Sequence, residues 1–282
     1  MSDLGPVDPG HAGEAAWLRR WRVRPDGDPV TTASSTLTPV RTEGGAPAML
    51  KVAHIDEEIR GADLLAALDG HGVARVIERN GPAVLLERAT GRRELVAMVE
   101  AGQDDEATRI ICDAAARIHA ASADVLDADD PPELVDLSTW FRHLFSQGRE
   151  LGAFHRRGAD VAERLLADPR DPVVLHGDLH HGNVLDFGER GWLAIDPKGL
   201  LGDAAFDVCN LLCNPSHERA LEPGRLERQF GVVVAATGFE PARVADWLVA
   251  WCALSSTWFA IDDDPRLAAS AAAIGELALT LR

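Results

Sequence analysis

Cysteine, positive charge and long apolar runs are all scarce in this chain, and each scarcity closes off a class of protein. Only four cysteines occur in 282 residues: Cys112, Cys209, Cys213 and Cys252. They have neither the spacing of a zinc site nor the density of a disulfide frame. Cys209 and Cys213, one helical turn apart in an apolar stretch, read as small core residues in a reducing compartment. No stretch reaches the roughly 18 apolar residues that a membrane-spanning helix requires. Met1 to Gly13 has no basic start and no apolar run, so neither secretion nor a membrane anchor is expected, and the expected location is the cytoplasm. Lysine and arginine number 28 against 45 aspartates and glutamates, a formal net charge of −17. Nucleic acid and anionic membrane both demand basic patches, so neither is expected as a partner. The same balance suits a small cationic partner drawn to a negative cleft, and equally suits simple solubility. There is no internal repeat or low-complexity tract, and at 46% hydrophobic residues the chain can bury a full core.

What is present is concentrated in one segment. Val173 to Leu175 is followed by His176-Gly177-Asp178-Leu179-His180-His181-Gly182-Asn183, and further on by Ile195-Asp196-Pro197-Lys198-Gly199. A lone Asp after a strand is ordinarily a turn former or a helix cap, and a His-His pair is ordinarily a hydrogen-bonded surface pair. Context changes that balance. Val173 to Leu175, Val184 to Phe187 and Trp192 to Ile195 read as short strands, and Asp186 to Gly191 reads as the turn between the last two. The polar loop therefore opens after one strand, and Asp196 follows another. Moving a γ-phosphoryl group requires a carboxylate to accept the proton of the attacking hydroxyl, and oxygen ligands to hold Mg²⁺ against nucleotide phosphates. Asp178 suits the first task, and Asn183 and Asp196 the second.

The pattern His-Gly-Asp-x-His-x-x-Asn, then Asp, resembles that of the aminoglycoside phosphotransferases and related small-molecule kinases that share the protein-kinase fold. The resemblance implies an α+β, bilobal protein-kinase-like fold, with a small β-rich N-lobe over residues 1–87 and a mainly helical C-lobe over 88–282. It also implies ATP and Mg²⁺ as cofactors. Protein kinases usually carry His-Arg-Asp and Asp-Phe-Gly at these places. Here only a short run separates Asp196 from Phe206 and no Ala-Pro-Glu follows, so there is no activation loop on which a protein substrate would lie.

The rest of such a site should lie upstream. Ala48 to Val52 reads as a strand carrying Lys51, the residue to reach the α and β phosphates, although a lysine on a strand also serves as edge protection. Asp56 to Leu68 reads as a helix, acidic in its first turn. The family pattern of Glu, Gly three later and Leu seven later matches Glu58, Gly61 and Leu65, so Glu58 rather than Glu57 is expected to pair with Lys51. Val73 to Arg79, Asn80-Gly81 and Ala83 to Glu87 read as a hairpin. In the implied fold it leads to a hinge where Glu87-Arg88-Ala89 offers backbone groups of Glu87 and Ala89 to adenine. Ser34 and Ser35, within Val30 to Thr36, stand where the family has its phosphate-covering loop, though no Gly-x-Gly is present and a plain hairpin turn fits nearly as well. His176 and Asp207 are expected to support the catalytic loop, Asp207 by accepting from its backbone. Asp203 reads as a cap.

Helical patterns are expected over Gly13 to Arg24, Asp104 to Ser122, Leu137 to Phe154, Asp160 to Ala167, Ala204 to Leu212, Pro223 to Gly238, Pro241 to Phe259 and Pro265 to Leu281, with a loop over Ala123 to Pro132. Trp247, Trp251, Leu254 and Trp258 share one helical stripe, which suits a core face. This Trp-rich helix, followed by Asp262, Asp263 and Asp264, resembles the aminoglycoside 6-phosphotransferase (streptomycin kinase) and hydroxyurea phosphotransferase branch. Trp258 is placed as a wall of the acceptor pocket. The three aspartates are either a solvated turn or the anchor of a cationic acceptor. The expected activity is ATP- and Mg²⁺-dependent O-phosphorylation of a hydroxylated, cationic small molecule, of the aminoglycoside 6-kinase type. Hydroxyurea, an amino sugar or an endogenous metabolite are alternative acceptors, and a nucleotide-binding pseudokinase is the alternative from another class.

Overall fold

Strands form first where alternate residues are apolar. In Ser35–Arg41 and Pro47–Ala53 the buried positions are interleaved with half-buried ones, so each strand has a face to cover. The computed structural model describes residues 9–170 and 172–281, and side chains from residue 13 onward; most of Met1 to Gly13 lies outside the described residues. The sheet runs Arg24–Pro25, Ser35–Arg41, Pro47–Ala53, Ala83–Glu87, Val76–Asn80, with Val30–Thr31 also paired to Ser35–Arg41, and every pairing is antiparallel. Lys51 sits opposite Leu37 on one side and Val84 on the other, in the middle of this sheet. One face is covered by Trp17 and Trp21, whose rings are 5.1 Å apart, over Val40, Leu50 and Leu85. The helix Asp56–Leu68 buries Leu64, Leu65 and Leu68 in the main core together with Val84 and Leu86.

Two boundaries here differ from expectation. The first helix is Pro9–Arg20, not Gly13 to Arg24: Arg22 takes φ 51 and Arg24 is already paired with Arg41 in the sheet. The hairpin starts at Val76, because the backbone upstream is engaged elsewhere. Ala74 N–H donates to Ala194 O and Ala194 N–H to Gly72 O, both at 2.9 Å, which ties this part of the chain to the strand that precedes Asp196.

The helical part is built on Asp104–Ala120, Ala153–Ala167, Arg225–Thr237, Pro241–Ile261 and Pro265–Ala278. The helix expected from Leu137 to Phe154 is instead three short pieces, Leu137–Trp140, a π turn at Leu144–Gly148 and Arg149–Leu151. Gly152, at φ 156, ends the last of them and lets Ala153–Ala167 begin well before Asp160. Ala204 to Leu212 divides into a 3₁₀ turn, Ala204–Phe206, and a helix, Cys209–Leu212. Ser122–Leu126 occupies the start of the expected acidic loop, and Leu95–Glu100 and His217–Ala220 are short helices that no long apolar period announces. The strand Leu200–Gly202, also unforeseen, pairs antiparallel with Val173–Leu175 and parallel with Val135–Asp136.

Pro241–Ile261 corrects the expectation about apolar runs. Its mean hydropathy of 1.4 over a sufficient length would let it cross a membrane. It is the core helix instead: 72% of that window is buried inside the protein, against Ala153–Ala167 and Pro265–Ala278 among others. Trp247, Trp251 and Leu254 do form its buried stripe. The four cysteines are buried free thiols, and burial pushes the Cys112 thiol up to about 12.

Candidate active site

The loop His176 to Asn183 hangs between Val173–Leu175 and the hairpin Val184–Asp186/Trp192–Ala194, and its shape is set by buried polar groups. The Asp207 carboxylate accepts from His176 N–H at 2.9 Å and Gly177 N–H at 2.7 Å, and contacts His119 Nε2 at 2.9 Å. Burial opposes that anion, yet the His119 contact and the backbone donors outweigh it and hold Asp207 below the usual carboxylate range. His176, wholly buried, donates from Nε2 to Ile195 O at 2.8 Å and accepts at Nδ1 from Asp178 N–H at 3.2 Å. Lys198 N–H donates to His176 O at 2.7 Å and Ile195 N–H to Asn183 O at 2.9 Å. The stretch carrying Asp196 is thereby stitched to the loop carrying Asp178.

Asp178 presents its carboxylate to several donors. Asn210 Nδ2 reaches Oδ1 at 2.8 Å, Asn183 Nδ2 reaches the main-chain oxygen at 3.0 Å and Oδ2 at 3.3 Å, and Lys198 Nζ stands 3.9 Å from Oδ2. Burial, which Lys198 only partly offsets, pushes the Asp178 carboxyl up to about 7. The folded pKa is raised, so between about 4 and about 7 the unfolded chain has lost this proton and the folded one has kept it. This group therefore makes stability fall as pH rises through that window. We expect the Asp178 carboxyl carbon in the ligand-free protein to titrate near 7 by ¹³C NMR. A midpoint below 5 would show that the carboxyl is better solvated than its surroundings indicate.

Lys51 lies between Glu58 and Asp196 and pairs with both, nearly buried at 8% exposure. Asp196, at φ 65, is kept below the usual range because the Lys51 charge and hydrogen bond exceed the cost of its burial. The helix Asp56–Leu68 can approach so closely because Gly61 has no side chain: a Cβ there would lie 2.2 Å from Pro197 O. That contact gives the Glu-x-x-Gly spacing its physical meaning. Gly61→Ala should push the helix and its Glu58 away from Asp196, with an overpacking cost of about 1–3 kcal/mol. MgATP affinity measured by calorimetry should fall with it, and wild-type affinity would show that the helix shifts without disturbing Lys51.

Two cavities flank this cluster, Glu58, Asp196 and Pro197 lining one and Glu57, Asp178 and Lys198 the other. One, of about 280 Å³, lies between Met49, Val84 and Leu86 of the sheet side and Leu185, Phe187 and Ile195 of the helical side, with Lys51 and Asp196 inside and Glu87 to Ala89 on its wall. The Glu87 side chain is already engaged, pairing with Arg190 and accepting from Arg75 N–H at 2.7 Å. Ser34 and Ser35 are not among its lining residues. They form a turn in which Thr32 Oγ1 accepts from both their N–H groups, at 3.3 and 3.1 Å. The second cavity, about 270 Å³, is lined by Asp178, Glu57, Lys198 and the indoles of Trp140, Trp251 and Trp258.

Trp258 is thus brought to Asp178, held by a hydrogen bond from Nε1 to His143 Nδ1 at 3.1 Å and by edge contacts with Trp140 and Trp251. Asp262, Asp263 and Asp264 are not brought there. Asp264 caps Pro265–Ala278 by accepting from Leu267 N–H at 2.9 Å, and Asp263 occupies the turn at φ 59 and lines a separate cavity with His155. These residues stand at the turn after Ile261, and the carboxylates that act on Asp178 are Asp196 and Glu57. Glu57, Lys198, Asn210, Trp140 and Trp251 were missed as site residues. Glu57 and Lys198 lay inside quoted motifs, whereas nothing in the sequence marked Asn210 or Trp140.

The family model for aminoglycoside/hydroxyurea antibiotic resistance kinases matches residues 20–263. The chain belongs to this family. Among curated relatives of this kinase, a streptomycin 3''-kinase from Klebsiella pneumoniae is 50% identical over 86% of this chain and 90% of its own length. A streptomycin 6-kinase from Streptomyces griseus is 29% identical over 93% and 87%. A solved aminoglycoside phosphotransferase, in ternary complex with ADP and hygromycin B, superposes with a TM-score of 0.67 at 14% identity, covering 95% of this chain and 97% of the other, so this family member has the bilobal protein-kinase-like fold.

Proposed function

We propose that this kinase transfers the γ-phosphoryl group of ATP to a hydroxyl of a streptomycin-type aminoglycoside. The observation that carries the reading is that an apolar cavity lined by Lys51, Glu58 and Asp196 lies beside an indole-lined cleft holding Asp178, the two linings drawing on adjacent residues, Glu58 and Glu57, Pro197 and Lys198. Adenine fits between the apolar walls, with the backbone of Glu87 to Ala89 at its edge. Residues 1–87 form the nucleotide lobe and 88–282 carry the acceptor. Lys51, fixed by Glu58, grips phosphate oxygens. The donor set, one carboxylate at Asp196 and one amide oxygen at Asn183, suits Mg²⁺, which takes few protein ligands and completes its shell with phosphates and water. When bound, the ion neutralises charge on the phosphates. Asp178 accepts the proton as the acceptor oxygen bonds to the γ-phosphorus and the bond to the bridging oxygen of ADP breaks. The expectation of a 6-kinase rests on resemblance and on relatives near 30% identity; the relative at 50% identity carries a 3''-kinase name and favours that hydroxyl.

A hydroxyurea phosphotransferase from Kitasatospora aureofaciens, 31% identical, supports a second acceptor class. A cleft of about 270 Å³ walled by three indoles suits a sugar ring bearing cations better than so small a neutral molecule. Four buried free thiols accord with a cytoplasmic location. The purified protein with MgATP, offered streptomycin, other aminoglycosides and hydroxyurea, should release ADP in step with phosphorylation of streptomycin, and ³¹P–¹H correlation should place the phosphate on the 3'' hydroxyl. A phosphate on the 6 hydroxyl would restore the sequence expectation, and turnover of hydroxyurea alone would overturn the aminoglycoside reading.

A further inference from the structure

The chain holds only two lysines, and two adjacent carboxylates of one helix bind them: Glu58 pairs with Lys51, and Glu57 with Lys198 at 3.2 Å. Lys198 leaves the main chain from a rigid stretch, with Asp196 at φ 65, Gly199 at φ 68 and its own N–H bound to His176 O at 2.7 Å. Its ammonium lies 3.9 Å from Asp178 Oδ2, so one cation spans the carboxylate of the catalytic loop and that of the helix Asp56–Leu68. Asn210 fixes the other oxygen of Asp178 at 2.8 Å, but without Lys198 the Oδ2 side would have Asn183, at 3.3 Å, as its sole close donor among the described residues.

We propose that Lys198 is a positioning residue for Asp178, and that Glu57 couples it to the small lobe, so that one helix sets the phosphate lysine and the base together. The proposal rests on the kinase reading of Asp178 given above. Displacing a reacting group by about 1 Å can cost on the order of 100-fold in rate, which makes an ion pair aimed at one carboxylate oxygen consequential.

Steady-state kinetics with MgATP and streptomycin should show Lys198→Ala lowering kcat by roughly 30-fold or more while KM for ATP stays within about twofold. Ethylammonium in solution should restore part of that kcat, saturably, and Lys198→Arg should keep more activity than the alanine variant. Glu57→Gln should lower kcat in the same direction. Because the chain holds two lysines, acylation followed by peptide mapping reads the coupling without turnover: Glu57→Gln should quicken modification of Lys198 and leave Lys51 unchanged. Wild-type kcat in Lys198→Ala, or a loss that neither ethylammonium nor arginine repairs, overturns the proposal. Wild-type protein inert toward every acceptor would strike the kinase reading instead, with the acylation rates still deciding whether Glu57 holds Lys198. An active wild type with inert Asp178→Asn and unimpaired Lys198→Ala would sink this inference alone.

Discussion

Asp178→Asn should leave ATP binding nearly intact and reduce phosphoryl transfer by about two or more orders of magnitude, roughly 3 kcal/mol of barrier. The substitution keeps size and shape. An amide oxygen at this position still accepts from Asn210 Nδ2, now 2.8 Å from Oδ1, so the loop should hold its place. What it lacks is the basicity to take a proton from the acceptor hydroxyl as the phosphorus–oxygen bond forms. Calorimetry with MgATP and single-turnover transfer to streptomycin separate the two expectations. Turnover near the wild-type rate would remove Asp178 from its assigned role, and lost ATP affinity would mean that the loop had collapsed.

The largest effect on stability is expected from Arg225→Ala. Arg225 and Asp104 are buried, at 5% and 2% exposure, and form a two-pronged pair with Nε–Oδ2 at 2.7 Å and Nη2–Oδ1 at 2.9 Å. Nη2 also donates to Asn214 O at 3.0 Å. Removing the guanidinium strands a carboxylate at the start of Asp104–Ala120, with the largely exposed Arg228, 3.4 Å away, as its remaining cation. Breaking a buried pair from one side typically costs about 3–5 kcal/mol. For a chain of this size that corresponds to a Tm lower by roughly 10 °C. Replacing both partners by apolar residues, as in Arg225→Met with Asp104→Leu, should recover most of the loss, because no buried charge is left. Calorimetric unfolding of the three proteins checks this. A single variant as stable as wild type would show that Arg228 or water answers Asp104 fully.

The two residues differ in how they could be known. Asp178, Asn183 and Asp196 were readable because the residues that present them are local: Asp178 and Asp196 follow short apolar strands and Asn183 precedes one, in an order that suits the proposed phosphoryl transfer. Lys51 and Glu58 were readable because a strand followed closely by an acidic helix repeats a spacing, and Gly61 shows why that spacing holds, since its missing Cβ is what admits Pro197 O. Long elements with a strong period, such as Pro241–Ile261 and Arg225–Thr237, were likewise visible, because helix burial repeats along the chain.

Other features depend on distances that no local pattern encodes. Asn210 meets Asp178 across 32 positions and Arg225 meets Asp104 across 121. The segment Leu137 to Phe154 looked like one helix, since its apolar spacing is helical, yet Gly152 and the packing of its pieces against Pro241–Ile261 break it. Asp262, Asp263 and Asp264 fitted a docking site as well as a solvated turn, because three carboxylates after a Trp-rich helix say nothing about direction; in the fold Asp264 caps the next helix, Asp263 lines a different cavity, and none of the three lines the cleft that holds Asp178. The sequence by itself determined the family and the fold class, and it set Asp178, Asn183 and Asp196 in the order proposed for phosphoryl transfer, all of which follows from short-range spacing. Only the tertiary structure decided which carboxylates and which indoles line the cleft beside Asp178, because that depends on how separate helices pack, and packing is set by shape and burial summed over the whole core.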